Sequence, residues 1–186
     1  MTSGSRRVLY LVVCAAPPAV EVGELVDLLR ESGWAVCVVL TPTAADWVDA
    51  EQLARRTDYP VRSTAGRPGD TESLPRADAV LVAPATFNTI NKWVAGIADT
   101  FALGLLCEAL GLGLPVYAVP HVKPTLAGTS GIRAQPGNTV RLGCHGPAER
   151  GPQARPPRPA VRVARRGGRA QFRPSWVTSG AVSVRT

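Results

Sequence analysis

The sequence has few of the residues that hold metal ions in proteins. It contains only four cysteines and two histidines: Cys14, Cys37, Cys107, Cys144, His121 and His145. No two cysteines form a CxxC pair, and this spacing argues against a zinc site. Cys14 and Cys37 fall inside apolar runs, where a buried and reduced thiol is expected. The cysteine pattern therefore favours a cytoplasmic protein without a metal site.

Long apolar runs are also absent. No stretch approaches the roughly 20 apolar residues that a membrane-spanning helix needs, so no membrane association is expected. Arg6 and Arg7, followed by the apolar residues 8–16, share the outline of a signal peptide. The proline pair and the amphipathic pattern that follow favour the other interpretation, which is the first buried strand of an α/β domain.

Acidic residues are scarce at the C-terminal end. Residues 133–186 hold eleven Arg, no Lys and a single acid, Glu149, whereas residues 1–132 hold ten Lys and Arg against thirteen Asp and Glu. The net charge of +7 therefore belongs to the final segment. We divide the chain into a domain, residues 1–132, and an Arg/Pro/Gly-rich tail, residues 133–186, which lacks a sustained period and is predicted to be irregular. Nucleic-acid binding by the tail is the disfavoured alternative.

Four apolar runs predict parallel strands buried on both faces, at residues 8–14, 34–40, 79–83 and 115–119. Helical patterns alternate with them, at residues 22–30, 44–56 and 101–110. The polar residues 57–76 predict a short edge strand and a surface loop. This order predicts an α/β fold with a Rossmann-like, doubly wound parallel sheet and helices on both faces. In such folds ligands bind at the carboxyl ends of the strands.

A GxGxxG dinucleotide loop is missing after the first strand, where the sequence reads Ala15-Ala16-Pro17-Pro18-Ala19. Dinucleotide binding in the usual manner is therefore disfavoured. The amides at the start of the next helix remain available to an anion, which makes Ala15 a candidate contact. Thr41 and Thr43 follow the second strand and add hydroxyl donors near the same edge of the sheet. The alternative is that they only cap a helix.

The most informative segment is residues 83–100, APATFNTINKWVAGIADT. Its small residues, Pro84 and Ala85 among them, let the backbone approach a flat ligand, while Thr86, Asn88 and Thr89 offer hydrogen bonds to phosphate, ribityl or ring atoms. The string resembles the signature of the homo-oligomeric flavin-containing cysteine decarboxylases. This superfamily includes phosphopantothenoylcysteine decarboxylase, peptidyl-cysteine decarboxylases and flavin prenyltransferases. Looser similarity over residues 8–120 extends to a group of actinobacterial flavoproteins.

The resemblance implies FMN as the cofactor, bound between neighbouring subunits of a trimer that often assembles into larger shells. Thr86, Asn88 and Thr89 would then contact FMN, and Asp99 would lie near the flavin. In the decarboxylases the flavin accepts a hydride as the cysteine of the substrate is oxidised to a thioaldehyde, which makes loss of the carboxylate easy. The protein contributes orientation and the handling of protons.

The base expected from the family, a histidine fourteen residues before the proline of the signature, is missing. Counting back from Pro84 leads to Asp70, and no histidine precedes His121. Asp70 is a candidate base if burial raises its pKa, although the adjoining Arg67-Pro68-Gly69 favours an exposed turn. Decarboxylation by the standard route is therefore in doubt.

The Pro-x-Met-Asn clamp that recognises the substrate carboxylate in the family is also replaced. The corresponding residues are Pro120-His121-Val122-Lys123. His121, near a strand end, is a second candidate for catalysis. Lys123 is a candidate for pairing with a substrate anion, and a solvated loop lysine is the alternative.

Together these features predict an FMN-binding flavoprotein that catalyses a redox or decarboxylation step on a cysteine-containing or small anionic substrate. It would be a homo-oligomer and either a lyase or an oxidoreductase. One alternative is true decarboxylation with a substitute base. A second is a non-catalytic or degenerate flavin-binding subunit, and a third is nucleic-acid binding through the basic tail.

Overall fold

A computed structural model of the chain describes residues 6–66 and 74–127, with the short segments 133–135, 139–141 and 182–184. Seven strands occur there: β1 (Val8–Val13), β2 (Ala35–Leu40), β3 (Ala79–Ala85), β4 (Val116–Pro120), β5 (Arg133–Gln135), β6 (Thr139–Arg141) and β7 (Val182–Val184). The main sheet has the order β2-β1-β3-β4-β7. Its first four strands are parallel, and β7 runs antiparallel beside β4. Strand β1 therefore lies between β2 and β3.

Six α-helices connect or follow these strands: α1 (Val22–Glu31), α2 (Pro42–Ala45), α3 (Ala50–Thr57), α4 (Phe87–Val94), α5 (Phe101–Gly111) and α6 (Pro124–Ala127). A short 3-10 helix, Pro17–Glu21, precedes α1. Residues of α1, α2 and α3 pack on one face of the sheet, and residues of α4 and α5 pack on the other. The doubly wound α/β fold expected from the sequence is confirmed.

Alternate residues of β1 belong to two different cores. Leu11 and Val13 pack in the layer of α1 to α3, whereas Val12 packs in the layer of α4 and α5. All three are completely buried. Because both faces of the sheet are covered, the parallel strands β1 to β4 have continuous apolar runs instead of an apolar residue at every second position. This is why continuous apolar runs in the sequence identified the strands correctly.

The helix expected at residues 44–56 is wrong as a single element, because the structure has α2 and α3 separated by residues 46–49. Asp49 caps the start of α3, since its side chain accepts a hydrogen bond of 2.9 Å from the Gln52 amide. In a continuous helix the Gln52 amide would donate to a backbone carbonyl one turn earlier. The Asp49 carboxylate accepts this hydrogen bond instead, and a new helix begins at residue 50.

An edge strand was expected within residues 57–76, and the described part of this range forms one parallel bridge, between Val39 and Arg62. The Leu40 amide donates to the Arg62 carbonyl at 2.7 Å, and the Arg62 amide donates to the Val38 carbonyl at 3.1 Å. Strand β3 is longer than expected and continues through the cis peptide bond Ala83–Pro84 to Ala85.

Within residues 133–186, the segment expected to be irregular, the structure describes three short strands. Strands β5 and β6 pair with each other, and β7 joins the main sheet. The rest of this segment lies outside the described residues, and the boundary at residue 132 stays a prediction. Among the described residues, no helix has the length and apolar character to cross a membrane.

Candidate functional site

The candidate site is a crevice where β1 and β3 end. After β1 the chain enters the helical layer of α1, and after β3 it enters the opposite layer through α4. Neighbouring parallel strands whose connections leave on opposite faces form the crevice in which α/β sheets bind ligands. The Cys14 amide donates a hydrogen bond of 3.1 Å to the Pro84 carbonyl and holds the two strand ends together.

Two threonines lie at the start of α4, directly after β3. Thr86 is the N-cap residue of α4, and its hydroxyl oxygen accepts a hydrogen bond of 3.4 Å from the Thr89 amide. The two hydroxyl oxygens lie 3.0 Å apart and share a second hydrogen bond. Thr89 is 8% exposed, Thr86 is half-buried, and Asn88 is exposed in the first turn. Thr86 and Asn88 are therefore accessible to a ligand at the positive end of the helix.

The thiol of Cys14 contacts both threonines from the buried side of the site. It is within hydrogen-bonding reach of both hydroxyl groups and of the Thr86 amide. Burial raises the pKa of the Cys14 thiol, and the hydrogen bonds from Thr89 and Thr86 oppose this effect. The thiol is 1% exposed and stays protonated at neutral pH. The sequence identified Cys14 only as a buried core residue, although its place directly after β1 was a usable signal.

The other candidate cofactor contacts line the same edge of the sheet. Ala15 is half-buried after β1, and Pro84 and Ala85 are buried at the end of β3. Thr41 is bonded to β1 through its amide, which donates to the Val13 carbonyl at 3.0 Å. Its side chain makes no capping hydrogen bond to α2, although Thr41 holds the N-cap position, and Thr43 is exposed. The hydroxyl of Thr41 is therefore not used to cap α2.

Asp99 is held by an ion pair. Its carboxylate lies 2.5 Å from the Lys92 ammonium group, so α4 is bonded to the turn before α5. Asp99 also lines a groove of about 830 Å³ between α5 and residues 62–66, over Tyr10 of β1 and Val80 of β3. This groove could not be predicted from the sequence, because its walls come from distant parts of the chain.

Polar and charged side chains line the groove together with apolar ones. The Tyr10 hydroxyl donates a hydrogen bond of 2.8 Å to the Pro75 carbonyl. The pKa of Tyr10 is raised, chiefly by burial and further by Cys37 and by the negative charge of Glu108. Glu108 lines the groove, as do Arg62 and Arg76.

The candidate catalytic and substrate-binding residues lie at the end of β4 or outside the described residues. The His121 amide donates to the Ala85 carbonyl at 2.8 Å, so residue 121 lies at the crevice edge of the sheet. His121 and Lys123 are both exposed. Asp70 lies outside the described residues, and its place relative to the crevice stays a prediction.

The groups at the crevice suit a neutral or anionic ligand. Thr41, Thr86 and Asn88 carry hydroxyl or amide groups, and the first turn of α4 adds backbone amides. None of these contacts bears a negative charge. Donors of this kind match the phosphate, ribityl hydroxyl and ring oxygen atoms of FMN. The residues present therefore fit the cofactor that the sequence implies.

Comparison with known proteins identifies the family. Residues 2–128 match the family described as Flavoprotein, and the chain belongs to this family. The suspected superfamily is confirmed, and the prediction of FMN is confirmed at the level of the family. A segment of 48 residues is 42% identical to a dihydromethanopterin reductase (acceptor) of Methanosarcina mazei. This match spans 26% of the chain and only 20% of the length of that reductase.

Solved structures share the fold. The FMN-dependent cysteine decarboxylase TvaF from thioviridamide biosynthesis is 24% identical, with a TM-score of 0.57 over 66% of this chain and 78% of its own. A dodecameric FMN-dependent Ubix-like decarboxylase from Escherichia coli O157:H7 is 23% identical, with a TM-score of 0.53 over 63% of this chain and 67% of its own. At these identities the likeness establishes the architecture of the sheet and helices.

Proposed function

We propose that the chain binds FMN in the crevice between the ends of β1 and β3. The observation that carries this proposal is the hydrogen bond from Cys14 to Pro84, which sets the loop after β1 beside the start of α4. Thr86, Asn88 and the first amides of α4 donate hydrogen bonds to the cofactor, with Thr41 at the neighbouring strand end. Ala15, Pro84 and Ala85 allow close approach of the backbone, and Thr43 and Asp99 are the remaining candidate contacts.

Two features make Thr86 and Asn88 the principal side-chain contacts. Both are accessible at the N-terminal end of α4, where the helix dipole favours negative charge. Thr89 is nearly buried, and its hydroxyl is bonded to Thr86. Thr89 therefore acts on the cofactor by fixing the Thr86 side chain.

Binding is tested by titrating the purified protein with FMN and following flavin fluorescence and absorbance. Asn88→Ala is expected to weaken binding about tenfold, which is the loss of one hydrogen bond to a polar ligand group. Thr86→Ser keeps the hydroxyl and the helix cap and is expected to bind normally. Ser32→Ala is the control for loss of a hydroxyl group, because Ser32 is exposed at the end of α1, before β2 and so at the opposite edge of the sheet. A wild-type protein that neither contains nor binds FMN contradicts the proposal.

For the reaction, we propose a redox or decarboxylation step on a cysteine-containing or small anionic substrate. Bound FMN supplies an acceptor for two electrons. His121, exposed at the end of β4, accepts a proton from the substrate, and Lys123 pairs with its anionic group. Asp70 is the alternative base, at the position where the family has histidine.

The reaction is tested by incubating the FMN-loaded protein with a peptide that ends in cysteine and with phosphopantothenoylcysteine. Mass spectrometry detects loss of carbon dioxide, and the flavin spectrum detects reduction of the cofactor. Loss of carbon dioxide assigns a lyase, whereas reduction without that loss assigns an oxidoreductase. Neither change, in protein that holds FMN, supports a non-catalytic flavin-binding subunit.

The non-catalytic alternative is favoured by one observation. The sequence has no histidine before His121, and the family clamp is replaced by Pro120-His121-Val122-Lys123. A chain that has lost both features keeps the crevice for FMN without the groups that act on a cysteine substrate in the family. The reaction test above separates this alternative from catalysis.

We also propose that the protein is a homo-oligomer in the cytoplasm. The E. coli neighbour is described as dodecameric, which supports assembly into multiples of this fold. Light scattering coupled to size exclusion should give a mass well above the 19.6 kDa of one chain. A single peak at the monomer mass contradicts the proposal. Cell fractionation tests the location.

A further inference from the structure

Helix α5 forms one wall of the groove over Tyr10 and Val80, and the segments 62–66 and 74–77 contribute the other. We propose that this groove is an interface between copies of the chain, in which α5 of a second copy lies along the groove. Gly104, inside α5, is then the point of closest approach between the two helices. This interface rests on the proposed homo-oligomer and is independent of FMN binding.

Helix α5 is apolar on two sides. One set of its residues is buried in the core of the chain itself: Ala102, Leu103, Leu106 and Ala109. A second set recurs at helical spacing and lines the groove: Phe101, Gly104, Leu105, Glu108 and Leu112. Leu112 is 58% exposed. Because a helix that is apolar all round is typically buried all round, the groove face of α5 needs a cover that the described part of the chain does not supply.

Gly104 is an unfavourable residue for the interior of a helix. It lies within the regular α5 helix and has no positive φ, so the backbone does not require glycine there. A Cβ atom placed on Gly104 would meet no described atom within 4 Å outside its own stretch of helix. The described residues of one chain therefore do not need the space that the glycine leaves. A second helix that packs against the backbone at this point does need it.

The groove carries charge of both signs. Glu108 lines it from α5 and Arg76 lines it from the opposite wall, and both residues are exposed. Neither forms an ion pair with another described residue. When α5 of a second copy lies in the groove, its Glu108 meets the wall that carries Arg76. An apolar surface with both charges is complementary to a copy of itself, which favours a second copy over a purely anionic ligand.

The first test fills the space on α5. Gly104→Leu is expected to weaken association about tenfold or more, because the partner helix can no longer approach the backbone. Gly111→Leu is the matched control, because Gly111 lies on the same helix, also faces open space and does not line the groove. It should associate as the wild type does. Light scattering coupled to size exclusion, over a dilution series of the full-length chain, is the measurement.

Both leucine variants should keep the fold, since each new side chain meets open space within one chain. Circular dichroism checks this. If Gly104→Leu does not fold, the decision falls to the charge variants below.

The second test reverses the two charges. Arg76→Glu and Glu108→Arg are each expected to weaken association about tenfold, because like charges then meet across the interface. A mixture of the two variants should associate within about threefold of the wild type, because each supplies the charge that the other lacks. Only a contact between copies can produce this recovery. A mixture that associates as weakly as either variant alone overturns the proposal.

The outcomes separate this interface from the proposed function. If the wild type is a monomer, the proposed homo-oligomer fails and this interface fails with it, whatever the FMN titration gives. If the wild type is an oligomer and Gly104→Leu associates normally, the homo-oligomer stands and only this interface is overturned. In that case, an effect of Gly104→Leu on the reaction of the test substrates would assign the groove to a small-molecule ligand.

Discussion

The backbone amide of His121 donates a hydrogen bond of 2.8 Å to the carbonyl oxygen of Ala85. This bond ties the end of β4 to the end of β3, directly before Thr86. Only main-chain atoms take part, so the imidazole can be replaced without breaking the bond. The position of residue 121 and the chemistry of its side chain can therefore be tested separately.

We predict that His121→Ala lowers turnover about 100-fold, a typical effect of removing a group that transfers a proton. FMN affinity should stay at the wild-type value, because the backbone bond to Ala85 is kept. The measurement is the turnover number, from carbon dioxide release or flavin reduction, with whichever of the two test substrates reacts. Normal turnover by His121→Ala would remove this residue from the mechanism and direct attention to Asp70.

The layer of α4 and α5 depends on Leu106, which is completely buried. Leu106→Ala should lower the free energy of unfolding by about 2–5 kcal/mol, because it removes apolar contacts and leaves a cavity. Leu28→Ala makes the same change on α1 at a side chain that is 43% exposed, and it should cost about 1 kcal/mol or less. Denaturant unfolding of both variants is the measurement. Equal losses would contradict the assignment of Leu106 to the core.

Alkaline pH should destabilise the fold through Cys37. Burial raises the pKa of this thiol from 9.0 to about 12. Between these values the unfolded chain releases the proton and the folded chain retains it, so stability falls as pH rises, by at most about 1.4 kcal/mol per pH unit from this group. Below pH 9 the contribution is complete.

The measurement is denaturant unfolding of the wild type and Cys37→Ala between about pH 8 and pH 10.5, around the ordinary thiol value. The variant should lose less stability over this range, because it lacks one group that ionises on unfolding. Cys14, whose pKa is also raised, remains in both proteins and contributes equally. The pKa of Tyr10 loses the smaller part that Cys37 adds, and this change also makes the variant lose less stability. Parallel pH profiles would contradict the prediction.

The break between α2 and α3 depends on Asp49. Asp49→Ala should lower the free energy of unfolding by about 1 kcal/mol, because the Gln52 amide loses its capping acceptor. Asp49→Asn retains an acceptor and should be close to the wild type. Asp46→Ala, at an exposed position just after α2, is the control for loss of a carboxylate. An equal loss of unfolding free energy in Asp46→Ala would show that the effect comes from removing a negative charge and not from losing the cap.

Much of the fold could be predicted because a doubly covered parallel sheet leaves a simple pattern. The apolar run at residues 8–14 and its counterparts identified β1 to β4. Residues 44–56 were misassigned because their helical pattern continues across Asp49, whose capping role depends on its own backbone conformation. The local sequence pattern thus predicted which helices and strands exist better than it predicted where they begin and end.

The candidate site could be predicted only in part. The segment after β3 was identified from one continuous stretch, residues 83–100. The contacts of Cys14 with Thr86 and Thr89, and the groove over Tyr10 and Val80, join residues that are distant in sequence. A single sequence contains no distances between such residues, so these parts required the fold.

The bond between Cys14 and Pro84 joins residues seventy positions apart, and the crevice exists only while that bond and the sheet are formed. The unfolded chain has no comparable binding site for a ligand that binds in the crevice. By mass action such a ligand would add about 2.7 kcal/mol to folding at one hundred times its dissociation constant. The supply of flavin in the cell would then govern how much of this protein escapes unfolding and proteolysis, so that the abundance of the protein follows that of its cofactor.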